Sequence, residues 1–154
     1  MINITELTEE LKKLEKQITT VLSISNYRGY DDLSNIEYSK TPDNLLLIEE
    51  YRSILYRLSD IQYDIEYLNK PIEFEDTLIL KDDGRYGCKN HSMYYTSGTL
   101  IEFLYYDEVL NDEGFFSTLP MWRCGRVEHN GNDYYIVGYS DVDLNNLKVR
   151  VRKK

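Results

Sequence analysis

A chain of 154 residues, 42% of them hydrophobic, suits one ordinary domain or a small domain with an extension, and is too apolar for wholesale disorder. Its net charge of −9 argues against direct binding to nucleic acid or to an anionic membrane, both of which depend on Lys and Arg, and it permits a basic protein partner. The acidic start MINITELTEELKK lacks the apolar core of a signal peptide and no run reaches transmembrane length, so the expected location is cytoplasmic with Cys88 and Cys124 reduced.

Residues 1–70 read as a helical hairpin. Ile4, Leu7, Leu11, Leu14, Ile18 and Val21 are spaced 3, 4, 3, 4, 3, a heptad seam, with Thr5 or Thr8 as the candidate cap. The connection 24–40 is long and carries Tyr27, Arg28, Tyr30, Asp31, Asp32 and Tyr38. Loops of that length tend to be functional or disordered, so these residues are candidate partner contacts. A second helix starts at Thr41, an N-cap, with Pro42 at the first position and Asp43 at the positive end of the dipole. Its seam is Leu47, Tyr51, Ile54, Leu58, Ile61, Ile65 and Leu68, and Asn69-Lys70-Pro71 stops it. Two such seams predict antiparallel, coiled-coil-like packing. They bury little by themselves, so a second layer is needed, from the rest of the chain or from a homodimer.

Residues 71–154 switch to a period of two. Strands are predicted at 77–81, 85–88, 99–106, 121–128, 133–139 and 148–152, with turns at Asp82-Asp83-Gly84, Asn111-Asp112-Glu113-Gly114 and Asn130-Gly131. The Asn-Gly pair predicts a type I′ turn, and Asp141 to Leu147 a single helical or 3₁₀ turn. Short strands closely punctuated by turns suggest a small antiparallel SH3-like barrel, closed so that edges are hidden. The fold class is thus α+β: helical hairpin, then barrel. The 15 tyrosines serve sheet packing or a contact surface. Charge is uneven: Pro71 to Asn146 holds 14 acidic and 5 basic residues, and the last eight residues hold five basic and no acidic ones.

Little of this is catalytic or metal-binding equipment. Cys88-x-x-His91 and Cys124-x₄-His129 have the residue types for zinc, but Cys124 and His129 are an odd number apart on one strand and point to opposite faces. Asp141-x-Asp143-x-Asn145 opens like a calcium loop, yet Asn146 and Arg152 stand where Gly and Glu are required. No cofactor, metal or catalytic residue is expected. The acidic pairs Asp82-Asp83, Asp107-Glu108 and Asp112-Glu113 sit in or beside turns and are candidates for partner binding instead.

The segments TSGTLIEFL (Thr96–Leu104), WRCGRVEHNG (Trp122–Gly131) and YYIVGYSDVDLNNLKVRVR (Tyr134–Arg152) resemble a family of small uncharacterised domains of Firmicutes genomes, often carried by phages and integrative elements, over about residues 77–152. The resemblance implies no activity and no catalytic residue. A small acidic protein in that setting is similar in character to anti-CRISPR proteins. It implies a non-enzymatic inhibitor whose acidic barrel face occupies the nucleic-acid-binding surface of a defence nuclease. The alternative is a regulatory or scaffolding module that binds a peptide or RNA through the barrel. Arg123, Arg126, Lys148, Arg150 and Arg152 would then face RNA beside Trp122 and Tyr134.

Overall fold

The computed structural model describes residues 1–29 and 33–154; the candidate contacts Tyr30, Asp31 and Asp32 lie outside the described residues. The chain forms two compact units, Met1–Lys70 and Pro71–Lys154.

The first unit pairs α1 (Ile4–Ile24) with α2 (Pro42–Asn69). Asn3, not a threonine, caps α1. Its side chain accepts from the Glu6 N–H at 2.9 Å, and Glu6 Oε2 accepts from the Asn3 N–H at 2.9 Å. This reciprocal box satisfies two orphan amides, whereas Thr8 already lies inside the helix and donates to the Ile4 carbonyl. At α2 the cap is Thr41 with Pro42 behind it, as the sequence predicts. The helices are antiparallel: Thr19 of α1 accepts from Gln62 of α2 at 2.8 Å, while Leu22, further along α1, packs near Leu55, earlier in α2. Leu33, Ile36 and Tyr27 from the connection close that end of the cluster. Ile18 and Ile65 of the predicted seams are buried, but in the first half of α2 the buried line runs one residue further along, through Ile48 and Leu55 rather than Leu47 and Ile54.

The second unit is a curled antiparallel sheet of seven strands among the described residues: β1 (Ile72–Leu80), β2 (Tyr86–Cys88), β3 (Tyr94–Tyr95), β4 (Leu100–Leu110), β5 (Phe116–His129), β6 (Tyr134–Ile136) and β7 (Lys148–Arg152). Their order is β3-β2-β1-β7-β4-β5-β6. The last strand in sequence is therefore the central one, joining the two halves through β1 and β4. The sheet curls until its flanks meet. The Tyr86 ring of β2 meets the Tyr134 ring of β6 edge-on at 6.4 Å, and the Tyr86 hydroxyl donates to Asp133. The result is a half-barrel rather than a closed one. Its edges, β3 and β6, are two and three residues long, which limits the open edge available to another chain. Leu78, Tyr95, Ile101, Phe103, Val127, Ile136 and Val149 fill the interior, and Leu144 plugs it from the loop before β7.

Two local expectations fail for identifiable reasons. The Asn130-Gly131 hairpin forms, but not as type I′, since Asn130 does not take positive φ. Its side-chain oxygen instead accepts from the N–H groups of Asn132 and Asp133, which stretches the link to the four residues 130–133. Residues 141–147 form turns rather than a helical turn. There the Asp143 carboxylate takes the Asn145 N–H at 2.8 Å, a local bond that competes with helix formation.

Candidate functional site

Topology gathers acid at one end of the half-barrel. Both β1 and β4 run antiparallel to β7, hence parallel to each other. The turns that leave them, Lys81–Arg85 and Asn111–Phe115, lie at the same end of the sheet, and so does the loop that enters β7. Asp82, Asp83, Asp112 and Glu113 therefore share an end with Asp141 and Asp143, and with Asp107 and Glu108 on the approach to the second turn. Two of these carboxylates, Asp141 and Asp107, act on one phenol. The Tyr105 phenol is pushed above its ordinary range, first by the charge of Asp141, then by burial and Asp107. Tyr105 also packs edge-on with Phe103 and Tyr139. In the sequence, Asp141 and Asp143 read as part of a helical or 3₁₀ turn or of a failed calcium loop, and not as partner contacts. Their membership of the acidic end depends on β7 being central, which no local pattern encodes.

The two acidic turns are built alike. In each, the N–H of the fourth residue (Gly84, Gly114) donates to the carbonyl of the first (Lys81, Asn111), and the first N–H donates to the fifth carbonyl. Gly84 and Gly114 take φ of 77° and 82°, the left-handed geometry that ends such a three-residue hairpin loop. Asp83 is held by Arg85, whose Nε and Nη2 donate at 2.9 and 2.5 Å. That bond is the first cause lowering the Asp83 pKa. Asp107 is paired with Arg123. Glu108, Asp112 and Glu113 are exposed.

These last three lie on an arm. Beyond Phe103, β4 pairs only with β5, down to Leu110 opposite Phe116. A two-stranded ribbon alone is marginal in water. This one carries large apolar groups into solvent at its tip, with Phe115 67% and Phe116 73% exposed beside Leu110 and Tyr106. An apolar tip within a carboxylate rim is the anatomy of an interface core and its polar border.

The other candidates are placed as follows. Tyr27 packs against the cluster of Leu33, Ile48 and Leu55. Arg28 donates to the Asn26 side chain at 3.2 Å, and Tyr38 is exposed.

Among the described residues no group of three or more His, Cys, Asp or Glu side chains is placed to hold a metal. The members of the Cys-His pairs have other engagements. Cys88 is buried, and burial followed by the nearby Asp76 charge pushes its thiol up to about 11, the reverse of an activated nucleophile. His91 bonds the buried Asp76 at 2.7 Å and stacks on Phe74 at 3.6 Å. His129 accepts from the Gly131 N–H. The basic side chains singled out as RNA contacts are each matched with acid. Arg126 pairs with Glu128 and Lys148 with Glu75, while Arg150 and Arg152 both grip Glu102. Arg150 also lies over the Trp122 ring at 4.5 Å.

Among the described residues no helix is long and apolar enough to cross a membrane. No curated protein and no solved structure matches the chain. Residues 77–151, which run from within β1 to within β7 and so take in the half-barrel with its acidic turns and arm, match the family described as Domain of unknown function (DUF5348).

Proposed function

We propose that this chain is a non-enzymatic acidic binding protein that occupies the basic, nucleic-acid-binding surface of a partner protein. In the setting that the sequence resemblance implies, a phage or mobile element, the partner is a defence nuclease and the action is inhibition of the anti-CRISPR kind. The observation that carries the reading is the convergence of acidic turns at one end of the half-barrel, beside an arm with an apolar tip. Carboxylates there meet cations that would otherwise hold phosphates, and Phe115 and Phe116 supply the desolvated contact.

The test joins a salt titration to a competition. The purified chain is titrated with labelled RNA and DNA, then added to a nuclease recovered with it. The expected result is no direct nucleic-acid binding and loss of the nuclease's own binding. Replacing Glu108, Asp112 and Glu113 by Lys should restore the nuclease. Direct binding that weakens steeply with salt, or inhibition untouched by the three replacements, would sink the proposal.

The second reading is a regulatory or scaffolding module that docks by its helical hairpin. The uncovered apolar side chains of α1 and α2 favour it. RNA recognition by the barrel is the less supported form of that reading, because its cations are already matched with carboxylates.

A further inference from the structure

The helical unit uses only half of its apolar stripe. In heptad terms the predicted seams are a and d positions. The buried line takes Ile18 and Ile65 at a and Ile48 and Leu55 at e, and it leaves the a positions Leu11 and Tyr51 exposed at 37% and 47%. The d positions are left, with Leu11 and Tyr51, on the other flank as a ridge of 3–4 spacing. Leu7, Leu14 and Val21 on α1, with Leu47, Ile54 and Ile61 on α2, are all between 39% and 44% exposed. Such even half-exposure along both helices is what remains when a helix built for two neighbours has one. α2, apolar at a and d throughout and at e in Ile48 and Leu55, presents a stripe wide enough for a bundle, and a hairpin covers one flank of it.

We infer that the d-position flank is covered by a second copy of this chain, so that two hairpins form a four-helix bundle. Three observations select that occupant. First, the exposed ridge keeps the 3–4 helical spacing over both helices, and ridges of that spacing pack into grooves of the same spacing. A second copy supplies both. Second, each hairpin carries the matching recess, an apolar groove of about 340 Å³ between the end of α1 and the first half of α2, bordered by Val21, Ile24, Tyr51 and Ile54. Third, the area is sufficient. At roughly 70 Å² left bare per large side chain, the six d-position groups, Leu11 and Tyr51 between them, and Ile24 and Leu68 at the helix ends offer roughly 700 Å², close to the ~800 Å² per partner of a stable interface. The half-barrel has a continuous core of its own and does not need this flank to complete it.

Sedimentation equilibrium of the full chain from 1 to 100 µM tests the inference. The expected mass is twice the chain's 18.3 kDa, with a melting temperature that rises with concentration. Leu14→Glu and Ile61→Glu place a charge in the apolar seam and should weaken dimerisation by about 100-fold or more while the far-ultraviolet circular dichroism stays helical. Tyr63→Glu, on the outward side of α2, and a Phe115→Asp, Phe116→Asp double variant on the arm should leave the dimer intact. A wild-type chain that stays monomeric overturns the inference and assigns the flank to the half-barrel or to another protein. A dimer that survives both seam substitutions, or that is lost with the arm substitutions, overturns it equally. If a seam variant unfolds, the mass and the concentration dependence of the wild-type chain still decide.

Discussion

Glu102 and Asp76 are the two carboxylates that the described residues remove from water, and each survives burial by a different device. Glu102 is clamped by two guanidinium groups: Oε1 accepts from Arg150 at 2.7 and 3.0 Å, and Oε2 from Arg152 at 2.8 Å. Removing it leaves two half-buried cations facing each other. Glu102→Ala should therefore cost about 3 kcal/mol in denaturant titration, and a loss below ~1 kcal/mol would show that the arginines simply swing to solvent. Asp76 has no arginine. Burial pushes its pKa up, but His91 and the Thr77 and Asn90 donors together outweigh burial and hold it at about 2, against an ordinary 3.8. A carboxyl depressed in the fold contributes stability above its unfolded pKa and loses that contribution as pH falls through the folded one. The midpoint of thermal unfolding should thus fall between pH 4 and pH 2, and Asp76→Asn should flatten that part of the curve. An unchanged slope in the variant would assign the acid sensitivity to other groups. Neither device is visible in sequence, because Glu102 and Arg150 are 48 residues apart and meet only when β4 lies beside β7.

At the scale of elements, the sequence was legible where a single local interaction decides the outcome. Thr41-Pro42-Asp43 has the residue types for a cap, a first turn and a dipole partner, and α2 begins there. Asp-Asp-Gly and Asn-Asp-Glu-Gly signal turns, and both are found. Legibility fails where two interactions compete. At Asn130 a side-chain bond to the loop wins over type I′ geometry, and at Asp143 the same chemistry wins over a helical turn. Packing sets a further limit. Gly125 in β5 is no turn residue. A Cβ there would come within 2.6 Å of the Ile136 side chain and 3.4 Å of the Phe103 ring. Gly125→Ala should destabilise the half-barrel by about 1–3 kcal/mol through overpacking, read as a lower urea midpoint at unchanged slope. A neutral result would mean that the Ile136 side chain, or β6 with it, can move by nearly an ångström without loss.

At the scale of the molecule, the expectation of α+β with a small barrel holds because helical and strand periods are local, and a change of period at Pro71 is plain to read. The strand order is not local. It places β7 between β1 and β4 and thereby creates the acidic end, so the candidate carboxylates could be named in advance but not assembled. The same order gives the half-barrel its independence. Both halves of the sheet are tied by β7, and the interior from Leu78 to Val149 is drawn entirely from residues after Pro71. A fragment of Pro71–Lys154 should therefore fold alone, with dispersed amide resonances and one cooperative transition. Its thiols report the same packing. Cys88 is fully buried with a raised pKa, while Cys124 is exposed. An excess of thiol reagent at pH 8 should modify one cysteine in the folded fragment and two after denaturation. Rapid modification of both would mean that the interior opens without the helical unit, and that the hairpin is part of the barrel's fold rather than an addition to it.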